Sequence, residues 1–451
     1  MVGPDPARDY GSRARTLLTN DVFAARRARV LDALDGAALI LAAAPELFVG
    51  GDTDVRYVPA ADLYYLTGYT EPQAVLLLCG SAEQAFTLFV RPRDAERELW
   101  TGARGGVEAA QERFGADAAY PLSDLQSRVP KLLENAERVY ARLATGRPEV
   151  DDALRQALAQ AGRSRPRTGR GVHTVTDPSV LLAPMRVRKD TTEIAAMRAA
   201  ADITIRAFDD VARGLTSLGH EYEVEAGIEY GFRRRGAHGP AFPTIAAAGA
   251  NATVLHYTSN EAALHAGDLL LVDAGARARM YCADITRTWP VAGKFTPEQR
   301  AAYDAVVAAH GAFIECIGPG RSLGDAEDAA LRVLAQGMID LHLLAGTIDD
   351  IMEKREYRRY FPHRISHWLG LEVHDTGSYA VGGQPIDLEE GMVLTVEPGL
   401  YIPAGDMSAP AALRGMGVRL EDDVLVTGDG ADVLTGGLPL SADEVEAQLG
   451  G

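Results

Sequence analysis

Apolar positions between residues 20 and 160 fall into short blocks that are separated by polar turns. VFAARRARVLDAL has the spacing of an amphipathic helix, and compact apolar segments follow it: ALILAAAP, DLYYLTGY, AVLLLC, AFTLFV and RVYARLAT. Helical and strand-like segments that alternate in this way are typical of a small α/β domain.

The pattern changes between residues 161 and 190. AGRSRPRTGRGVHTVTDPS is rich in Arg, Gly, Ser and Pro and has little periodicity, as is common in a connection between domains. We therefore predict an N-terminal domain over residues 20–175 and a second domain over residues 185–440.

Two helices of the second domain carry their own start signals. Asp190 can cap a helix while Glu193 reaches back, and Thr296, Pro297 and Gln299 form a second capping box. The first of these helices should bury one face, made of Ile194, Met197, Ala201, Thr204, Phe208 and Val211.

The charge balance limits the choice of partners. The 451 residues carry 63 acidic and 45 basic side chains, a formal charge of −18, which repels nucleic acid and anionic membrane surfaces. The N-terminal sequence lacks the apolar run of a secretory signal, and no later stretch approaches the length of a membrane span. A soluble, cytoplasmic protein is expected, with a flexible or subunit-contacting extension over its first twenty residues. Three cysteines without metal-ligand spacing, Cys79, Cys282 and Cys316, are expected to be reduced.

Two aspartates stand in apolar, strand-like sequence, LVDAGARARMYCADITRTWP at residues 271–290. If this segment is an antiparallel hairpin, the odd separation 284 − 273 = 11 allows Asp273 and Asp284 to face each other directly. Their β-carbons would then be about 4.5–5.5 Å apart, close enough to bind one cation. Two lone aspartates more often cap a turn or face solvent, so other ligands must decide between these interpretations.

Further candidate ligands follow downstream. FPHRISHWLGLEVHDTG contains His363, His367 and His374, and two strand-like segments bring Glu397 and Glu421. Two aspartates, two glutamates and one imidazole form an oxygen-dominated set. Carboxylates that can bridge suit two divalent cations sharing a site, and the single imidazole nitrogen fits manganese, cobalt, iron or zinc better than calcium. Such a pair holds and acidifies a water and polarises a carbonyl, which is hydrolytic chemistry.

Five segments together resemble the metal-dependent Xaa-Pro peptidases of metallopeptidase family M24, with aminopeptidase P as the most similar branch. They are FPTIAAAGANATVLHYTSN, LVDAGARARMYCADITRTWPVAGKFT, SHWLGLEVHDTG, VLTVEPGLYI and RGMGVRLEDDVLVT, and the likeness extends into the first half through DLYYLTGYTEPQAVLLL and ERELWTG. The resemblance implies an α/β N-terminal domain followed by an α+β pita-bread (creatinase/aminopeptidase) catalytic domain. It also implies an enzyme that cleaves between an N-terminal residue and a penultimate proline through a metal-bridging water.

The resemblance assigns roles to individual residues. Its implied metal ligands are Asp273, Asp284, His367, Glu397 and Glu421. Among these, Asp284 and Glu421 would bridge two divalent ions per subunit, and Glu397 would also act as general base. Manganese is the expected ion, with zinc, cobalt and iron left open. A homo-oligomer, dimer or tetramer, is implied as well.

The same matching positions suggest the residues that meet the substrate. His256 and His374 would contact the scissile region and the developing oxyanion, and His363, Tyr401 and Arg419 would line the proline pocket. The other histidines, at 173, 220, 238, 265, 310 and 342, are expected to be surface or packing residues. In the run EDD at 421–423 only Glu421 is singled out, since such a run is usually a solvated strand end. Arg364 departs from the small residue that is frequent at this position in relatives.

Several alternatives stay open at this stage. Prolidase shares the fold and ligands but acts only on dipeptides, and the short connection from Glu397 to Glu421 favours aminopeptidase P over it. Methionine aminopeptidases generally lack so large an N-terminal domain. A metal-free scaffold or creatine-hydrolysing relative should lack the ligands, all of which are present.

Overall fold

The computed structural model describes residues 18–51, 53–144 and 146–450. The predicted N-terminal extension lies outside these residues except for its last three positions. The chain divides into two compact units, Leu18–Pro184 and the part from Met185 onward. Within the described ranges, none of the helices has the length and hydropathy of a membrane span.

The first unit contains a six-stranded sheet. The strands of this unit are β1 (Ala38–Ala42), β2 (Phe48–Val49), β3 (Thr53–Asp54), β4 (Val75–Cys79), β5 (Phe86–Val90), β6 (Ala118–Pro121), β7 (Arg138–Tyr140) and β8 (Thr174–Thr176). The helices are α1 (Asn20–Leu34), α2 (Ala61–Thr67), α3 (Ala95–Thr101), α4 (Gly106–Glu112), α5 (Leu125–Leu132) and α6 (Pro148–Thr168), and α7 (Ser179–Val187) continues into the second unit. The sheet order is β6-β5-β4-β1-β7-β8, mixed in direction, with β2 and β3 forming a separate hairpin.

Apolar runs in the sequence become the central strands of this sheet. Every residue of β4 and β5 is buried, and their side chains pack against helices α5 and α6 through Leu77, Phe89, Val129 and Leu154. Both sheet faces are covered, which explains why these strands read as continuous apolar runs rather than as alternating ones.

The second unit combines long helices with several small sheets. Its helices are α8 (Thr191–Gly214), α9 (Glu221–Arg234), α10 (Pro297–Glu315), α11 (Leu323–Asp340), α12 (Ile348–Lys354) and α13 (Ala442–Gly450), with 3₁₀ turns at Leu215–Ser217, Gly249–Thr253, Glu356–Arg359 and Ala411–Leu413. Its strands are β9 (Gly239–Pro240), β10 (Ile245–Ala248), β11 (Leu269–Ala274), β12 (Ala276–Ala278), β13 (Tyr281–Cys282), β14 (Ile285–Pro290), β15 (Ala380–Val381), β16 (Gln384–Pro385), β17 (Val393–Val396), β18 (Gly399–Ile402), β19 (Met416–Arg419), β20 (Asp422–Thr427) and β21 (Gly430–Val433).

Both predicted helix starts are confirmed. Asp190 accepts hydrogen bonds from the backbone at Thr192 and Glu193, whose side chain reaches back to complete the capping box of α8. Thr296 and Gln299 form the same reciprocal pair at the start of α10. Five residues of the predicted apolar face of α8 are buried, and Ile194 at its first turn is half-buried.

The aspartate hairpin has a different register from the one predicted. Its two-residue turn is formed by Arg279 and Met280, both with positive φ, at 52° and 69°, which is the type I′ geometry that suits a twisted hairpin. Because this turn is centred one position later than direct pairing of the aspartates requires, Asp273 lies opposite Thr286. Direct opposition of Asp273 and Asp284 is therefore wrong, and the two are diagonal neighbours.

Candidate metal centre

Four carboxylates stand at the ends of strands that converge in the second unit. Asp273 lies near the end of β11 and Asp284 directly before β14, while Glu397 follows β17 and Glu421 lies between β19 and β20. A bridge between Thr286 and Glu421 joins the hairpin to the C-terminal strands. Pairing between these strands thus brings carboxylates from four segments of the chain to one place.

His367 lies at the centre of this group. Its Nε2 is 3.5 Å from a carboxylate oxygen of Asp284, 3.7 Å from Glu397 and 3.9 Å from Glu421. Ligand atoms of Asp284, His367 and Glu421 all lie within 4.8 Å of one another. Three of the five predicted ligands therefore form the tightest cluster, and Glu397 borders it.

Asp273 is bound by Arg419 through only one of its two carboxylate oxygens. Its Oδ2 accepts a hydrogen bond of 2.6 Å from Arg419, while Oδ1 is buried and has no hydrogen-bond partner among the described residues. A buried carboxylate oxygen without a donor is costly. This oxygen is the coordination position that Asp273 has left to offer.

Burial and the nearby carboxylates raise the pKa values of three acidic groups at this site. Burial, followed by the charge of Asp273, raises the pKa of Asp284 well above its usual range, and burial with Asp284 does the same for Glu421. Burial also raises the pKa of Glu397 to about 7. Carboxylates in this position either keep protons or require a cation, so the donor set fits divalent metal.

The tautomer of His367 suits coordination as well. Its Nδ1 lies 3.1 Å from the carbonyl oxygen of Trp368, and because a carbonyl only accepts, Nδ1 carries the proton. The lone pair of Nε2 is then directed toward the carboxylates, which is the usual arrangement of a metal-binding histidine.

A chain of hydrogen bonds connects Asp273 with the other side of the site. Arg419 donates to Asp273 and, at 3.1 Å, to the hydroxyl of Tyr401. This hydroxyl lies 2.8 Å from Nε2 of His363, whose Nδ1 lies 2.7 Å from the carbonyl of Arg364. When Nδ1 donates to this carbonyl and the Tyr401 hydroxyl donates to Nε2, His363 carries one ring proton and is neutral. Burial agrees with this, because it lowers the pKa of His363 to about 4.

The site opens into a cavity of about 710 Å³. His256 and His374 border it together with His363, and the ring of His374 meets that of His367 edge-on at 4.5 Å. Burial and the neighbouring His367 lower the pKa of His374, which favours its neutral form. All ten predicted site residues except Tyr401 line this cavity, and Tyr401 lies behind His363.

The sequence interpretation missed a second layer of charges. Asp422 and Asp423 are buried, at 2% and 1% exposure, so the expectation of a solvated strand end is wrong. Arg287 donates to Asp422 at 2.8 Å and to the carbonyl of Glu421 at 2.8 Å. His310, expected only at the surface or in packing, lies 3.1 Å from Asp422. The sequence signal that could have indicated these buried charges was Arg287, a basic residue within the strand-like segment ITRTWP.

Comparison with known proteins gives a consistent picture. Residues 195–428 match the model of metallopeptidase family M24, and residues 23–140 match that of the aminopeptidase P N-terminal domain. The chain is 37% identical to a Xaa-Pro aminopeptidase of Escherichia coli over 96% of its own length and 98% of the relative's.

Solved structures agree with these matches. The Pseudomonas aeruginosa aminopeptidase PepP is similar, with a TM-score of 0.91 and 40% identity over 96% of this chain and 98% of that one. Zinc-substituted Escherichia coli aminopeptidase P in complex with product has a TM-score of 0.90 and 36% identity over 96% and 98% of the two chains.

Proposed function

This chain belongs to metallopeptidase family M24 and is a metal-dependent Xaa-Pro aminopeptidase, and we propose that it cleaves between an N-terminal residue and a penultimate proline using two divalent ions. The observation that carries the proposal is the position of His367 Nε2 within 3.5–3.9 Å of three carboxylates, at the base of an open cavity. Residues 20–175 are proposed as the N-terminal domain and residues 185–440 as the catalytic domain.

Five side chains are proposed to hold the ions. They are Asp273, Asp284, His367, Glu397 and Glu421, and Asp284 and Glu421 would be shared between both ions. When bound, such ions acidify a water and polarise the scissile carbonyl. Mn²⁺ fits a set of four carboxylates and one imidazole, and the zinc-substituted relative indicates that a comparable site accepts Zn²⁺.

The remaining steps are assigned to the chain's own groups. Glu397 takes a proton from the attacking water and returns it to the proline nitrogen when the peptide bond breaks, so that its own charge is restored. His256 and His374 border the same cavity, where they can donate hydrogen bonds to the carbonyl oxygen as its charge grows.

The contacts of Arg419 favour an aminopeptidase over a prolidase. A prolidase needs a cation for the carboxylate of a dipeptide, and Arg419, proposed to line the proline pocket, could supply it. Arg419 is only 4% exposed and donates to Thr286, Tyr401 and Asp273. Its guanidinium is therefore committed to holding the site together, and it positions His363 through Tyr401.

The test compares peptide lengths under one set of conditions. Manganese-loaded enzyme is offered Ala-Pro, Ala-Pro-Ala-amide and Ala-Pro-Ala-Ala-Ala, with Ala-Ala-Ala-amide as the control for proline. We expect alanine release from the longer proline peptides with kcat/KM at least equal to that for the dipeptide, and little release from the control. Strict confinement to the dipeptide would make prolidase the correct assignment.

A further inference from the structure

The cavity has one cation at its mouth whose charge the metal centre does not use. Arg364 and Arg419 are the only permanently charged basic side chains among the residues that line it. Arg419 is buried and paired with Asp273 at 2.6 Å. The side chain of Arg364 is 49% exposed, so it is the one guanidinium in the lining that an incoming peptide can reach.

Arg364 is fixed in place by two neighbours. Its Nε and Nη2 donate to one oxygen of Glu327 on α11, at 3.1 and 2.8 Å. The guanidinium carbon also lies 4.2 Å from the ring centroid of Tyr379, and that ring stacks on the buried Trp368 at 5.5 Å. An arginine held by a carboxylate and an aromatic face has already lost much of its conformational freedom, which lowers the cost of binding a further anion.

Part of the guanidinium stays available in this arrangement. Nη1 donates no hydrogen bond to any residue that the structure describes, and Glu327 is engaged through a single oxygen. Arginine has five N–H donors arranged in a fork that fits carboxylates. A second carboxylate can therefore bind Arg364 without displacing Glu327.

The exposed fraction of the side chain increases from Arg419 through His363 to Arg364, which places these residues in order from the interior to the mouth of the cavity. The side chain of Arg419 is 4% exposed, that of His363 20% and that of Arg364 49%. His363 is proposed to line the proline pocket, and Arg364 is the next residue along the chain and lies further out. A peptide whose proline sits at His363 would bring its following residue toward Arg364.

From these observations we propose that Arg364 selects substrates with a carboxylate on the residue after the proline. The proposal rests on the proposed function and names the substrate class of that same site. The carboxylate can belong to an acidic side chain or to the C-terminus of a tripeptide. With a formal chain charge of −18, the protein otherwise repels such peptides, so a local cation is needed to admit them.

Two matched peptide pairs separate the two sources. Ala-Pro-Glu-amide against Ala-Pro-Gln-amide tests the side-chain carboxylate, and Ala-Pro-Ala with a free C-terminus against its amide tests the terminal one. We expect the anionic member of at least one pair to have a kcat/KM about fivefold higher, the upper range for a partly exposed ion pair. The pair that shows the preference identifies the source.

The variant Arg364→Gln keeps a polar side chain and removes the charge. The preference should fall to about one in this variant and should shrink in wild-type enzyme as salt is raised, two readouts that a purely structural role would not move. Arg332→Gln is the matched control, because Arg332 is on α11, has a 44% exposed side chain, pairs with Asp328 and Asp349, and does not line the cavity.

The preference is a ratio measured within each variant, so a loss of stability does not obscure it. Equal rates for both members of both pairs in wild-type enzyme would overturn the proposal, as would a preference that survives Arg364→Gln. Cleavage of the neutral amides in those cases would still support the proposed function, whereas failure to cleave any Xaa-Pro peptide would count against that function instead.

Discussion

Asp284 is buried, has acidic neighbours and, at 3.5 Å, lies closer to Nε2 of His367 than Glu397 or Glu421 does. We expect Asp284→Asn to lower bound metal and to reduce peptide hydrolysis by more than about a hundredfold, beyond the usual effect of losing an outer partner of a metal site. Because asparagine has nearly the same shape, circular dichroism should stay unchanged. Metal content is measured by mass spectrometry after dialysis.

The control for this prediction is Asp349→Asn, which removes the same charge from an 86% exposed side chain. It should leave metal content and turnover unchanged. Wild-type metal content and activity in the Asp284 variant would contradict the proposed ligand set.

Asp422 provides a prediction about pH. Burial alone would raise its pKa, but Arg287 and His310 outweigh it and hold the pKa well below its usual range. Since the pKa is lowered on folding, the contribution of Asp422 to stability is complete above the unfolded value of about 4 and is lost as the pH falls below it. Asp422→Asn leaves the buried Arg287 without its carboxylate partner and should cost about 3–5 kcal/mol at pH 7.

Urea unfolding of wild type and Asp422→Asn at several pH values tests this account. The difference in unfolding free energy should shrink steadily from pH 4 downward. An equal difference at pH 7 and pH 3 would show that the charge of Asp422 is not what stabilises the fold.

The hairpin that carries Asp273 and Asp284 depends on one close approach. A Cβ on Gly275 would lie 1.6 Å from the carbonyl oxygen of Ala283, directly beside Asp284. We expect Gly275→Ala to separate the strands, to destabilise the protein by about 3 kcal/mol and to weaken metal binding. Gly267→Ala is the matched control, because a Cβ there meets nothing within 4 Å.

Thermal unfolding and metal titration of both glycine variants check the prediction. A Gly275→Ala protein that matches the control in melting temperature and metal affinity would mean that the hairpin does not need this contact to present its aspartates.

Elements with local signals were predictable from sequence. The capping boxes at Asp190 and Thr296 are short-range patterns, and the structure confirms both. The hairpin register was not predictable, because it depends on a turn formed by Arg279 and Met280, residues that carry no glycine signal for positive φ. The burial of Asp422 and Asp423 was missed for a related reason. Arg287, which donates to Asp422, and the backbone N–H of Asp284, which donates to Asp423, are both more than 130 residues away in the chain.

At the scale of the whole molecule, the predicted fold class is confirmed. The two family models match an N-terminal domain and a catalytic domain of the expected kinds, and the likeness to solved aminopeptidase P structures covers 96% of the chain. This resemblance rested on several ordered motifs, so composition alone could not have provided it. The individual site roles and the cytoplasmic location stay predictions.

The oligomeric state is a further prediction at this scale. We expect a dimer or tetramer, as the family resemblance implies. Light scattering coupled to size exclusion at micromolar concentration measures the mass directly against the 48.2 kDa of one chain. A mass of one chain at all concentrations tested would contradict the expectation.

The central claim is that Xaa-Pro cleavage depends on metal held by the buried carboxylates around His367. Its most direct test is a titration of metal-stripped enzyme with Mn²⁺, in which alanine release from Ala-Pro-Ala-amide is followed against the number of ions added per chain. The account predicts no turnover in the stripped enzyme and a rise that reaches its plateau at two ions per chain. Full turnover by the stripped enzyme, with metal shown to be absent, would contradict it.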